Sequence, residues 1–153
     1  MAINCNSAGS ARGVDHGSAA ALDDLPASSG GFLAWIWVNK RANGDNQVLM
    51  SKGASGTAGF LWMVDGTNVV RIFVDLATTN LDFTSSNNAL TNDTDHFVAV
   101  FCDISLSGNA RGHLWVGSRS QAPVEVSYAS RTAGEGAIVT DAALNLIVGN
   151  GAT

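Results

Sequence analysis

GFLAWIWVN, residues 31–39, decides the reading of this chain. In an extended strand successive side chains point to opposite faces. Phe32, Ala34, Ile36 and Val38 then share one face, and Leu33, Trp35 and Trp37 share the other. Both faces are apolar over seven residues, and such a run predicts a central strand covered on both sides. Gly30-Gly31 precedes it. The polar stretch KRANGDN (40–46) follows, and its Asn43-Gly44 pair is a hairpin signal.

The same alternation recurs along the chain. QVLMSKG (47–53) and GFLWMVDG (59–66) read as strands, the second ending in the tight-turn pair Asp65-Gly66. In NVVRIFVDL (68–76), Val70, Ile72, Val74 and Leu76 face one way and Val69, Arg71, Phe73 and Asp75 the other. A long polar stretch (78–95) has apolar anchors only at Leu81, Phe83 and Leu90. DHFVAVFCD (95–103), HLWVGSR (113–119), PVEVSYA (123–129) and LNLIVGN (144–150) complete the set, after a short first strand over Arg12–His16. In PVEVSYA, Val124, Val126 and Tyr128 share a face. Ile36, Val38, Ile72, Val74, Val98, Val100, Leu146 and Val148 are expected to line one interior between two sheets.

Composition agrees. The 153 residues fit one domain spanning 1–153, with residues 1–11 as an extended arm. Two Glu and two Lys are too few to clothe helices, while the 17 Gly suit turns. The formal net charge is −5 and the eight basic residues form no stripe, which argues against nucleic acid as a partner. No apolar run approaches the ~20 residues a spanning helix needs, so no membrane role is expected. MAINCNSAGSARG has neither a basic start nor an apolar stretch and is not a secretory signal peptide. Cys5 and Cys102 could pair; two free thiols, with Cys102 in a buried strand, is the expectation.

The order of motifs from about residue 12 to 150 resembles the laminin-G-like, concanavalin-A-like jelly-roll superfamily. VDHGSAAALDDLP (14–26) looks like its opening strand and capping loop, and GGFLAWIWVNKR (30–41) like its central strand. QVLMSKG to VVRIFVD (47–75) resembles its hairpins, DTDHFVAVFCD…GHLWVGS (93–118) its "H-V-A…L-Y-V-D-G" hairpin, and LNLIVGN its "L-x-I-G" strand. The resemblance implies an all-β fold, a two-sheet antiparallel jelly-roll sandwich. Two departures stand out. Asp95 occupies the place of the family's tryptophan before "H-V-A". Family members also add a strand after "L-x-I-G" that pairs with the first strand. The sequence ends at Thr153, so the strand around Arg12–His16 is expected to have an unfilled neighbour. A second subunit would complete it, with 1–16 and 144–153 at the contact.

A catalytic apparatus is not legible. The hydrolases of the resembled superfamily use Glu-x-Asp-x-Glu on one strand; neither Glu125 nor Glu135 has a carboxylate two residues away. There is no Gly-x-Ser-x-Gly elbow, and Gly134-Glu135-Gly136 fails as a dinucleotide fingerprint. His16, His96 and His113 lack partners at zinc spacing. No catalytic residue, cofactor or resident metal is therefore expected. The oxygen clusters nearest to a calcium site are Asp23-Asp24 and Asp93-x-Asp95, which as turn caps need no ion. Trp35, Trp37, Trp62 and Trp115 could pack in the core or form a sugar-stacking platform. Trp37 and Trp62 are the carbohydrate-binding candidates, because their strands are apolar on both faces.

The function expected from these features is a non-enzymatic virion structural protein: a phage capsid decoration or cement protein, made in the host cytoplasm and resident in the virion. Its partners would be the major capsid protein or other virion subunits, and copies of itself, as a trimer. The alternative is a lectin-like carbohydrate-binding or adhesion module with a glycan partner.

Overall fold

The computed structural model describes residues 12–27, 30–41, 44–54 and 56–150. Among these residues eleven strands follow in chain order: β1 (Arg12–Asp15), β2 (Phe32–Asn39), β3 (Gln47–Ala54), β4 (Ala58–Val64), β5 (Val70–Val74), β6 (Leu81–Ser85), β7 (Asp95–Cys102), β8 (Gly112–Ser118), β9 (Val124–Glu125), β10 (Tyr128–Thr132) and β11 (Leu146–Asn150). Three single turns of 3-10 helix, at Ala20–Leu22, Leu25–Ala27 and Gly108–Arg111, are the only helical segments among the described residues. Among the described residues no helix is long and apolar enough to cross a membrane.

The strands form two antiparallel sheets. One has seven strands in the order β1-β11-β3-β4-β5-β6-β10, the other four in the order β2-β7-β8-β9. Turn chemistry sets the local connections. Asp65 Oδ1 accepts the Thr67 and Val69 N–H groups at 2.8 and 3.0 Å, and Asn68 takes φ +63°, closing the β4–β5 hairpin. The shared core joins Trp62, Val64, Val70, Ile72, Val74, Leu81 and Phe83 of the large sheet to Val38, Val98, Val100, Cys102 and Leu114 of the small one. Of the eight expected interior residues, seven join this core directly or pack against it, and Val148 is half-buried.

Four expectations need correction. β2 is not a central strand: it pairs only with β7 and forms an edge of the four-stranded sheet, one face open to solvent. Residues 81–85, within the stretch read as polar, form β6, because Leu81 and Phe83 alternate inward and are both 0% exposed. PVEVSYA is not one strand. The chain leaves the small sheet after Glu125 and joins the large sheet at Tyr128, so β9 and β10 lie in different sheets. The 144–150 segment is itself the neighbour of the first strand, with Val14 opposite Val148, so one side of β1 is filled from within the chain. Cys102 is a buried free thiol. Burial pushes its pKa up to about 12, which leaves it inert as a nucleophile. Cys5 and the arm 1–11 lie outside the described residues.

Candidate functional site: the outer face of the four-stranded sheet

Strand register lays the outward side chains of the small sheet in rows. Leu33, Phe101 and His113 form one row. Trp35, Ala99, Trp115 and Glu125 form the next, and Trp37, Phe97 and Gly117 the third. Three rows made largely of aromatic and aliphatic side chains would normally signal a buried face. Here Leu33, Trp35 and Trp37 are 58, 63 and 51% exposed. A contiguous apolar surface of this kind is what binding faces are made of.

Polar groups bracket the apolar surface at both ends, and internal partners hold them in place. At the Trp37 end, Asn39 Nδ2 donates to Asp95 Oδ1 at 2.8 Å, and Arg119 Nε donates to Asp95 Oδ2 at 2.9 Å. The Arg119 guanidinium lies 5.4 Å from the Trp37 ring centre, in cation–π range. The Asn39 and Arg119 contacts hold the Asp95 carboxyl below the usual carboxylate range. At the other end the His113 ring stacks on Trp115 at 5.6 Å, and its Nδ1 lies 2.8 Å from Glu125 Oε1. The Tyr128 hydroxyl also donates to Glu125 Oε1, at 2.9 Å. Burial alone would raise the Glu125 pKa; the His113 and Tyr128 hydrogen bonds outweigh it, and the net shift is downward. Between β8–β9 and the 86–89 loop an open groove of about 490 Å³ is lined by His96, Ser118, Gln121, Glu125 and Ser127 among others. It adjoins the aromatic face through Glu125.

The sequence candidates fare unequally. Trp37 lies on this face. Trp62 does not: it is 1% exposed, on the inner side of β4, with its indole N–H unpartnered, and it cannot reach a ligand. Trp35 and Trp115 belong to the site and were not singled out. The signal was present, since Trp115 alternates out of phase with Leu114, in the core, and Val116, packed against it.

The acidic candidates also separate. Asp93 pairs with Arg41 at 3.0 Å, and Asp95 is held as described above. Asp23 and Asp24 belong to a different structure at one end of the core. Lys52 occupies an inward position of β3, in a cross-strand row with Leu146, Phe60, Val74 and Leu81. Its side chain is 0% exposed. Nζ lies 2.7 Å from Asp141 Oδ1 and 2.6 Å from Asp23 Oδ1. Asp24 and Asp141 exchange backbone-to-carboxylate hydrogen bonds at 2.9 and 3.1 Å. Gly59, at φ +84°, makes room, since a Cβ there would overlap the Lys52 carbonyl oxygen. No group of three or more His, Cys, Asp or Glu converges on a metal position among the described residues.

Compared with protein-family models, with curated proteins and with solved structures, the chain matches none. The fold class therefore rests on the strand order and the site on its own geometry.

Proposed function

We propose that this protein is a non-enzymatic recognition module of jelly-roll architecture that binds carbohydrate on the outer face of its four-stranded sheet. The observation that carries this is the row Trp35–Ala99–Trp115. Adjacent strands are about 4.8 Å apart, so two strand spacings put the two tryptophans roughly 9.6 Å apart over a small alanine floor. That is close to the separation of alternate rings in an extended polysaccharide. Each indole offers an apolar face to sugar C–H groups, and the bracketing carboxylates, amide, imidazole and guanidinium suit hydroxyls. Those polar groups are already oriented by internal hydrogen bonds, which lowers the ordering cost of binding. The jelly-roll reading is supported by the chain's repeated passage between the sheets, at β1–β2, β2–β3, β6–β7 and β9–β10.

A second reading keeps the same face and changes the occupant. Leu33 is aliphatic and well exposed, and β2 is an edge strand. Neither feature is needed for a sugar, and both suit docking onto another protein subunit. On this reading the protein is a structural component of an assembly such as a phage particle, as a decoration protein bound to capsid subunits.

A glycan array followed by titration calorimetry separates the two. The expected result is saturable binding of an extended oligosaccharide, lost in both Trp35→Ala and Trp115→Ala. No retained glycan, together with sedimentation as a closed oligomer that Trp35→Ala dissolves, would replace the first reading with the second.

A further inference from the structure

We propose that Lys52 and Asp141 condense to an intramolecular amide, with Asp23 as the proton-transferring group. The two reacting side chains are each 0% exposed, with Nζ and Oδ1 2.7 Å apart. The fold has already met the entropic cost of bringing nucleophile and electrophile together. Oδ1 also accepts the Asp24 backbone N–H at 2.9 Å. Oδ2 is buried and has no hydrogen-bond partner. The two carboxylate oxygens are therefore unlike: one is held by donors, the other is free to leave.

In the ion-paired ground state burial opposes the charge on Lys52, while its hydrogen bonds to Asp141 and Asp23 favour it, and the balance raises its pKa. Reaction begins when the ammonium passes a proton to Asp23, 2.6 Å away, and becomes a neutral amine. Nζ attacks Cγ of Asp141. The negative charge that develops on Oδ1 is stabilised by the Asp24 N–H, in the manner of an oxyanion hole. Asp23 returns its proton to Oδ2, and a second proton from Nζ follows. The Nζ–Cγ bond forms, the Cγ–Oδ2 bond breaks and one water departs. Nitrogen gives up two protons, both leave on Oδ2, Asp23 ends as the carboxylate it began as, and nothing is oxidised or reduced. The Asp23 side chain is 23% exposed, which gives the water a way out.

Energetics favour the product. A buried ion pair with an unsatisfied oxygen is a weak stabiliser, because desolvation offsets much of the attraction. The amide removes both charges and the orphan oxygen together. It also ties β3 to the segment before β11 across 89 residues of sequence, enclosing most of both sheets.

Peptide mapping of the intact, reduced protein tests this. Trypsin does not cut after an acylated lysine. The expected product is a branched species joining residues 42–71 to residues 132–153, one water lighter than the sum of the two peptides. Asp23→Asn, which keeps both reacting residues, should fold and yield separate peptides with cleavage after Lys52; Lys52→Met should yield the separate 132–153 peptide. Complete cleavage after Lys52 in the wild-type protein, with both peptides at full mass, would overturn the proposal. So would a branched species formed equally in Asp23→Asn, as regards the role of Asp23.

Discussion

Two regions of this molecule hold residues on the side of the chain where solvent and core would not ordinarily place them. On the outer face of the small sheet, Leu33, Trp35 and Trp37 stand in water. At one end of the core, Lys52 and Asp141 are wholly enclosed. Each arrangement costs free energy. Exposed aromatic surface forgoes roughly 25 cal/mol for every Å² left unburied, and a buried charge must recover its hydration from partners. The large sheet shows what the chain does when nothing demands the exception. There the outward Met63 and Phe73 are 6 and 8% exposed, and Arg71 lies across Phe73 while pairing with Asp82. Covering an outward aromatic is therefore within the reach of this fold. The small sheet leaves its outward aromatics uncovered, the feature on which the proposed binding role rests, whereas the charged cluster is enclosed within the fold.

The largest expected effect breaks the inward region. Asp141→Ala strips Lys52 of its best-buried partner and removes the carboxylate that accepts the Asp24 backbone N–H. Breaking a buried pair in this way should cost about 3–5 kcal/mol in a urea unfolding titration. A loss under about 1 kcal/mol would mean the enclosed charges are ordinary surface chemistry. Alkaline unfolding sharpens the point. An ion-paired Lys52 has a folded-state pKa above its unfolded one, so its contribution is fully present below the ordinary lysine value and disappears as pH rises through the raised one. An amide has no such titration, so a wild-type stability curve that falls no more steeply through that window than the curve of Lys52→Met favours the covalent form.

Next in size is the contrast within one strand of the covered sheet. Ile72 is 0% exposed in the core, and Ile72→Ala should cost about 2–5 kcal/mol. Arg71 beside it faces outward, with a third of its side chain in solvent, and Arg71→Ala should cost under about 1 kcal/mol. Thermal unfolding of the two variants side by side decides it; equal losses would invert the inward and outward faces of β5.

Those faces were legible because alternation has a period of two and Val70, Ile72 and Val74 keep to it. The same rule misled at β2. A run apolar on both sides says that both faces are meant to be covered, but not whether the cover is another sheet or a ligand. Trp35 and Trp37 on an edge strand and Trp62 on an interior one look alike in sequence, since exposure depends on what packs above them. Register across β7, which aligns Trp35 with Trp115 through Ala99, is a tertiary property that no local pattern encodes. Lys52 was half-visible: it keeps phase with the inward Met50. Its partners lie 29 and 89 positions away, beyond any local signal. The crossing between β9 and β10 was hidden because the valines and tyrosine of 124–128 alternate without a break.

A smaller stability effect, and a large effect on binding, is expected at the open face. Trp35→Ala and Trp37→Ala remove side chains that pack little, so each should change unfolding free energy by under about 1 kcal/mol. A loss of several kcal/mol in either would show that these indoles hold the sheet together, and would remove the reason for reading the face as a binding surface.

The smallest expected effect is none at all, and it concerns the four carboxylates nearest to a calcium site. Calcium needs several oxygens free to converge. Asp23 is committed to Lys52, Asp24 to the Asp141 backbone, Asp93 to Arg41, and Asp95 to Asn39 and Arg119. A cation entering either cluster would have to displace an internal lysine, arginine or backbone donor and leave that group unpartnered. Adding a chelator should therefore leave the melting temperature unchanged. A bound ion at a hundredfold excess over its Kd would contribute about 2.7 kcal/mol, a change easily seen in calorimetry. A melting point that falls by several degrees with chelator and recovers with calcium would mean that the internal ion pairs open to admit the metal. Asp93→Asn, which leaves Lys52 and its partners intact, would then assign the site: continued sensitivity to chelator would place it in the inward cluster, and lost sensitivity beside the aromatic face.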